Sequence, residues 1–326
     1  MSQRNFILIT GATGFVGRAV CASLSGRWAI RVSAPRIASL EPTPGVETIA
    51  KQLSAGEDWS DALAGVDVLV HCAARVHIMN DQTADFLAQI HRVNVEGTLR
   101  LAEQAAVAGV RRFVFLSSIK ANGEQTEAGQ AFSADEAPKP GDPYGISKWQ
   151  AEERLRDLAT RSGMELVVIR PPLVYGPGVK ANFETMMRWI WRGIPLPFGA
   201  VTNNRRSLVA LDNLVDLVKI CIDHPAAANQ TFLVSDGEDL STADLLKRLG
   251  RAMGRPVRLI AVPAGLLKLG AWLLRRPDLA LRLTASLEAD IGKTRRVLGW
   301  TPPIDVDEGL RRAAAQWIQS RNLPSR

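Results

Sequence analysis

A tyrosine and a lysine stand four residues apart in the run Pro143-Tyr-Gly-Ile-Ser-Lys148. On a helix, residues i and i+4 share a face, so the phenol of Tyr144 and the ammonium of Lys148 would be neighbours. A phenol with a pKa of about 10 is a poor base at neutral pH, and a fixed cation beside it favours phenolate. Moving a hydride to or from a carbinol carbon needs a partner that moves the hydroxyl proton, and this pair suits that task. The surrounding sequence predicts the helix: Asp142 is placed as N-cap, Pro143 suits the first helical position, and Trp149, Leu155 and Leu158 continue the pattern. Tyr175, the other of the two tyrosines in the chain, falls in the loop after Arg170 and is expected to pack or to wall a pocket.

Whatever accepts or donates the hydride must be held nearby, and the chain opens with a stretch suited to holding it. Phe6-Ile-Leu-Ile-Thr-Gly-Ala-Thr-Gly-Phe-Val-Gly17 is an apolar run broken by Gly11, Gly14 and Gly17, with helical spacing continuing through Val16, Val20 and Leu24. It predicts a strand, a tight turn and a helix, the glycines serving positive φ, close approach of a ligand and helix-on-strand packing. Such a turn aims a helix N-terminus at a pyrophosphate, with Thr13, Phe15 and Val16 in the same cradle. The second strand, Trp28-Ala-Ile-Arg-Val-Ser-Ala-Pro-Arg36, has no acid before Glu41. A carboxylate there would bind a ribose 2'-hydroxyl and repel a 2'-phosphate, whereas Arg31 or Arg36 would attract one. The expected cofactor is therefore NADP(H), with use of NAD(H) left open.

The elements that would position these groups follow from the hydrophobic pattern. Strand-like runs at Phe6 to Thr10, Ala29 to Ala34, Val46 to Ile49, Val66 to Cys72, Arg112 to Ser118 and Leu166 to Arg170 alternate with helical ones. This βαβ rhythm predicts an α/β fold with a Rossmann doubly wound parallel sheet. Ala73-Ala74-Arg75, Ser117-Ser118 and Pro171-Pro172 fall at the carboxyl ends of strands, where ligands of such sheets sit. Beyond Arg170, Pro- and Gly-rich loops mixed with short helices predict a smaller, interleaved C-terminal substrate domain. The expected division is 1–172 for the dinucleotide, with 207–235 returning to it, and 173–206 with 236–326 for the substrate. Within the returning part, Leu208 to Asp223 is expected as a helix and Thr231 to Val234 as a final strand.

Length and composition exclude several classes. A chain of 326 residues that is 46% hydrophobic can bury a large core. The net charge of +7 favours an anionic partner, but no basic run with interleaved aromatics accompanies it, so a small anionic substrate is expected and nucleic acid is not. Cys21, Cys72 and Cys221 are odd in number and embedded in apolar runs, as in buried thiols of a reduced, cytoplasmic protein. The four histidines lack ligand spacing, so no metal is expected. The first strand begins too near the N-terminus to leave room for a signal peptide. Val262 to Leu274, interrupted by Lys268 and followed by Arg275 and Arg276, is too short to span a bilayer and is expected to pack as an amphipathic helix.

Taken with the glycine turn and Ser117-Ser118, the Tyr-x-x-x-Lys spacing resembles the extended short-chain dehydrogenase/reductase family. Asn94-Val-Glu-Gly-Thr98, Arg170-Pro-Pro-Leu-Val-Tyr-Gly176, Arg206-Ser-Leu-Val-Ala-Leu-Asp212 and Leu298-Gly-Trp300 extend the resemblance nearly end to end. It implies Tyr144 as acid/base, Lys148 as the residue that holds the nicotinamide ribose and tunes the tyrosine, and Ser118 as hydrogen-bond partner of the reacting oxygen. It further implies cofactor contacts from Ala73, Ala74, Ser117 and Pro171. Substrate contacts would come from Arg75, Lys120, Asn182, Arg206 with its neighbour Arg205, and Arg282. Leu287, where glucose-restricted epimerases carry a bulky tyrosine, would leave room for a 2-acetamido group. Ile119-Lys120 stands where dehydratases of the family carry Asp-Glu, which argues against dehydration.

The Ser117 to Glu124 and Asp142 to Glu152 stretches look closest to a bacterial subgroup of enzymes acting on UDP-sugars. It includes 4-ketoreductases that form UDP-N-acetylquinovosamine from UDP-4-keto-6-deoxy-N-acetylhexosamine for O-antigen and lipopolysaccharide, and UDP-glucose or UDP-N-acetylglucosamine 4-epimerases. The reductase is the leading expectation and the epimerase the alternative. A non-catalytic cofactor-sensing regulator is a third reading, disfavoured because Tyr144 and Lys148 are both present. The resemblance also implies a homodimer paired through Ala84 to Gly109 and Tyr144 to Ser162.

Overall fold

A computed structural model describes residues 6–36, 43–75, 84–127, 129–263, 265–267, 269 and 283–322. The chain runs through β1 (Phe6–Thr10), α1 (Phe15–Leu24), β2 (Ala29–Ala34), β3 (Val46–Ala50), α2 (Ser60–Leu63), β4 (Val66–His71) and α3 (Ala84–His91). A π-helical turn, Arg92–Gly97, leads into α4 (Thr98–Val107), followed by β5 (Arg112–Leu116), α5 (Pro143–Ser162) and β6 (Glu165–Arg170). Next come β7 (Leu173–Tyr175), α6 (Ala181–Trp191), β8 (Arg206–Ala210), α7 (Leu211–Asp223), β9 (Gln230–Leu233), β10 (Asp239–Leu240) and α8 (Thr242–Ala252). We number the last two described helices α9 (Gly292–Leu298) and α10 (Val306–Asn322).

Seven strands form one parallel sheet in the order β3-β2-β1-β4-β5-β6-β9. Successive side chains of a strand point to opposite faces, and both faces here are covered. Ile7 and Ile9 join Val20, Leu24, Leu214 and Val218 on the face packed by α1 and α7. Leu8 joins Leu101, Phe113, Phe115, Leu155 and Leu158 on the face packed by α4 and α5. That double cover explains why β4 and β5 read as continuous apolar runs.

The second sheet holds β10, β8 and β7. Its core is separate, built from Tyr175, Phe183, Met187, Leu208, Leu246, Leu310 and Trp317. Leu208 to Ala210, expected as helix, is strand: Leu208, Val209 and Ala210 register in parallel against Leu173, Val174 and Tyr175, and α7 begins only at Leu211. Pairing on both sides, with β7 and with β10, outweighs helical periodicity over so short a run. β9, by contrast, pairs with β6 and closes the large sheet. Of Val262 to Leu274, residues 262–263, 265–267 and 269 are described, and Leu266 and Leu269 are exposed. Among the described residues no helix is long and apolar enough to cross a membrane.

Candidate active site

β1 connects to β2 on one side and β4 to β5 on the other, so a crevice opens beyond the carboxyl ends of β1 and β4. Gly11 ends β1 with φ of +70°, and a β-carbon there would lie 2.6 Å from the nitrogen of Ala73, in the loop after β4. A β-carbon on Gly17 would lie 2.3 Å from the Gly11 oxygen, so its absence seats α1 on the turn. Gly14 is the exposed N-cap of α1 with φ of −76° and ψ of 168°. It offers no side-chain cap, and the first turn, with Phe15 and Val16, contains no acid. The helix end therefore has no internal competitor for an anion. Thr13, whose carbonyl accepts from Arg18 Nη2 at 3.1 Å, and Ala74 are half-buried beside it. This cradle, closed to a β-carbon at Gly11 and Gly17 and open to negative charge, fits a dinucleotide.

Asp142 caps α5, Oδ1 accepting from the Gly145 nitrogen at 2.6 Å, and Gly163 ends the helix with φ of +75°. Lys148 Nζ lies 5.9 Å from the centroid of the Tyr144 ring and 4.6 Å from that of Phe115, and donates to the Leu116 carbonyl at 2.9 Å. Burial pushes its ammonium down to about 8, with Cys72 and Glu152 pulling the other way. The Tyr144 hydroxyl makes no hydrogen bond with any described residue. Burial, and then the carboxylate of Asp142, push that phenol up. Lys148 is thus where the sequence places it, yet desolvation and Asp142 prevail over its help.

Ser118 opens the short turn Ile119–Ala121, its hydroxyl accepting from the Lys120 nitrogen at 3.2 Å. Gly145 lets α5 meet that turn, for a β-carbon there would lie 2.5 Å from the Lys120 oxygen. Below them Glu152 is fully buried. Its Oε1 accepts from Ser117 Oγ at 2.5 Å and Arg170 Nε at 2.9 Å, and its Oε2 from Arg170 Nη2 at 2.6 Å and Arg156 Nη2 at 2.8 Å. Burial alone would raise this carboxyl, but the fork of Arg170 holds it below its ordinary range. A third brace is Asn94 in the π-helical turn. It accepts from the Arg75 nitrogen at 2.7 Å, donates to the Arg75 carbonyl and to Ser147 Oγ at 3.0 Å each, and Ser147 donates to the Tyr144 carbonyl at 2.8 Å. Such π-turns recur at functional sites.

Sequence reasoning assigned no role to Gly145, Glu152 or Asn94. Glu152 carried a signal, continuing the four-residue spacing of Tyr144 and Lys148, with Arg156 one further turn along the same face.

Several expected site residues are engaged elsewhere. Arg31 sits mid-strand in β2 and its side chain reaches back, donating to the carbonyls of Ala62 and Ala64 ahead of β4 at 2.8 Å each, pairing with Glu47 and lying over the Phe6 ring. Only Arg36, exposed just past β2, stands at the carboxyl end. The Ser117 hydroxyl is held by Glu152 and faces the interior, so its side chain does not line the cradle. The Lys120 ammonium pairs with Asp142 and with Glu124.

Pro171 is buried, its carbonyl accepting from the Ile119 nitrogen at 3.0 Å. Asn182 is exposed at the start of α6, and Arg205 is exposed. Arg206 Nη1 donates to the Ala285 carbonyl at 3.0 Å. Arg282 lies outside the described residues. Leu287 is buried against Ile119, next to Ser118, together with Leu233 and Ala289. Tyr175, fully buried, packs as expected, its hydroxyl 2.7 Å from Asp236 Oδ2. Cys72 and Cys221 thiols are pushed up to about 12 by burial. Among the described residues no cluster of His, Cys, Asp or Glu is placed to hold a metal ion.

Residues 7–235 match the NAD dependent epimerase/dehydratase family, and the chain belongs to that family. Within it, the chain is 46% identical over 316 residues to a UDP-glucose 4-epimerase of Vibrio cholerae, covering 97% of this chain and 96% of the relative. The fold is similar to that of MoeE5 in complex with UDP-glucose and NAD, with a TM-score of 0.77, 25% identity and coverage of 97% and 99% of the two chains. It is also similar to a UDP-glucose 4-epimerase of Thermotoga maritima solved with UDP-glucose, with a TM-score of 0.77, 21% identity and coverage of 97% and 100%.

Proposed function

We propose that this protein is an NAD-dependent 4-epimerase of UDP-hexoses. One observation carries the reading: an unengaged phenol, Tyr144, is seated beside Lys148 and the Ser118 turn at the strand ends that also bear an anion-ready glycine cradle. The similarity to the Vibrio cholerae enzyme over almost the whole of both chains supports epimerisation over the reductase reading. When bound, the dinucleotide supplies the acceptor and donor of hydride. Ionised Tyr144 takes the proton of the sugar 4-hydroxyl and returns it after the ring has turned, Ser118 holds that oxygen, and Lys148 fixes the ribose and the charge of the phenolate.

Residues 1–172 with 211–235 would bind the dinucleotide, the expected return at 207 being moved because 207–210 lie in the strand of the second sheet; the contacts would come from Gly11, Thr13, Gly14, Phe15, Val16, Gly17, Ala73, Ala74 and Pro171. Residues 173–210 with 236–326 would bind the UDP-sugar, through Asn182, Arg206 and Arg282, with Arg75 beside the cleft. NAD(H) is the proposed cofactor, because Arg31 is committed elsewhere; a preference for NADP(H) would rest on Arg36 alone. A cytoplasmic homodimer, paired through α3, α4 and α5, completes the proposal, and the exposed Val107 on α4 suits a covered face.

The purified protein is given UDP-glucose, and UDP-galactose is followed by NMR. Interconversion without change in absorbance at about 340 nm supports the epimerase. Consumption of NADPH with a 4-keto-6-deoxy UDP-sugar, without interconversion, would return the assignment to the reductase that forms UDP-N-acetylquinovosamine.

A further inference from the structure

Lys120 was expected to touch substrate, yet its ammonium is bound between two carboxylates of the protein. Nζ pairs with Asp142 and lies 3.1 Å from Glu124 Oε2. Asp142 is the N-cap of the helix that begins with Pro143 and Tyr144, and the Lys120 backbone N–H is held by the Ser118 hydroxyl. One ammonium therefore bridges the serine turn to the start of the tyrosine helix. The bridge is tightly built: a β-carbon on Gly141 would lie 2.9 Å from Glu124 Cγ, and the Lys139 nitrogen donates to the Asn122 carbonyl at 3.0 Å. Two carboxylates share this single cation, and Glu124 Oε1 is buried without a partner. Removing the cation would leave uncompensated negative charge beside the phenol.

We propose that Lys120 is a positioning residue that balances Asp142 and Glu124 beside Tyr144, and so sets the pH range over which Tyr144 acts as a base. This rests on the role given to Tyr144 above. Titratable and charged groups near Tyr144 include Lys148 and Glu152 on α5, Asp142 at its cap, Lys120 on the serine turn with Glu124 following it, and Cys72 and Arg75 in the loop after β4; α3, the π-helical turn and α4, which also pack on α5, carry His91, Arg92, Glu96, Arg100 and Glu103. Lys148 and Lys120 favour phenolate, whereas Asp142 and Glu124 oppose it. Consistent with that balance, Asp142 is one of the causes that push the Tyr144 phenol up.

The test compares K120M, K120R, D142N and the K120M/D142N pair in epimerisation of UDP-glucose from pH 5.5 to 10. In K120M the acid limb of kcat/KM moves to higher pH by about one unit, a loss of about tenfold at neutral pH that is recovered in alkali. D142N, in which asparagine still caps the helix, moves the limb the other way. The pair returns toward wild type, and K120R stays near it. A second readout needs no turnover. The chain has two tyrosines, so fluorotyrosine labelling gives two fluorine NMR signals, of which Y144F removes one, and the remaining assignment yields the ionisation midpoint of Tyr144 directly. If K120M does not fold, D142N alone decides. Equal Tyr144 midpoints in wild type and D142N, or a uniform loss of rate in K120M with an unchanged pH profile, would overturn the proposal. A wild-type protein that epimerises nothing would instead overturn the functional reading, while the fluorine titration still judges the role of Lys120.

Discussion

Gly145 is where the geometry of catalysis and the tolerance of the fold separate most clearly. Its backbone is helical, so alanine would be favoured locally by about 1 kcal/mol. The added β-carbon would nevertheless lie 2.5 Å from the Lys120 oxygen and 3.2 Å from Asp142 Oδ1. One of these is backbone and the other is the cap of the helix, so neither can swing aside. Relief requires the first turn of α5 to lift by about 1 Å from the serine turn. Overpacking of this kind costs about 1–3 kcal/mol, of which helix propensity offsets about 1 kcal/mol, so the folded protein should persist with at most a modestly lowered melting temperature. A displacement of about 1 Å between Tyr144 and the oxygen held by Ser118 costs about 100-fold in rate. The expected G145A enzyme is folded, binds the dinucleotide, and has a kcat for UDP-glucose epimerisation about two orders of magnitude low. Calorimetry, cofactor titration and steady-state kinetics on one preparation would show it. Wild-type kcat in G145A would refute the contact as the device that registers phenol and serine.

Further outcomes follow from other buried groups. R31A should lose about 1.5–3 kcal/mol of stability through its carbonyl bonds while leaving the ratio of NAD to NADP affinities unchanged; a changed ratio would return Arg31 to the cofactor site. E152Q leaves Arg170 buried with an incomplete partner and should cost about 3 kcal/mol. Because the Glu152 carboxyl lies below its ordinary value in the folded protein, its contribution is complete above pH 4.5 and is lost as acid protonates it, so E152Q should show a flatter acid denaturation curve. Lys148 runs the other way: the folded protein sheds this proton at about 8 rather than 10.5, so its contribution to stability rises with pH across that interval. Melting temperatures of wild type relative to K148M should climb from about pH 8 to about pH 10.5, and a parallel pair of curves would refute the assignment.

The parts of the site that were legible in the sequence are those whose physics is local. The strand, turn and helix around Gly11, the Asp142 cap with Pro143 behind it, and the apolar runs of β4 and β5 depend on neighbours a few residues away. What escaped the sequence depends on contacts across the sheet. Arg31 and Arg36 are indistinguishable as charges in the sequence, and only the fold, which turns the Arg31 guanidinium onto the carbonyls of Ala62 and Ala64 ahead of β4, takes the first away from a 2'-phosphate. Ser117 and Ser118 are likewise identical neighbours, yet strand alternation turns the first inward to Glu152 and leaves the second on the turn. Leu208 to Ala210 reads as the start of a helix until Leu173 to Tyr175 pair with it.

Pro171 and Pro172 are the whole connection between β6 in one sheet and β7 in the other. The chain then passes back at Leu211, and crosses again between β9 and β10. The portion proposed to bind the sugar, laced into its neighbour in this way, cannot be transplanted as one genetic cassette. Chimeras that aim to borrow another relative's sugar preference will have to exchange separate segments at matched seams, and proteases should not release either portion as an intact fragment.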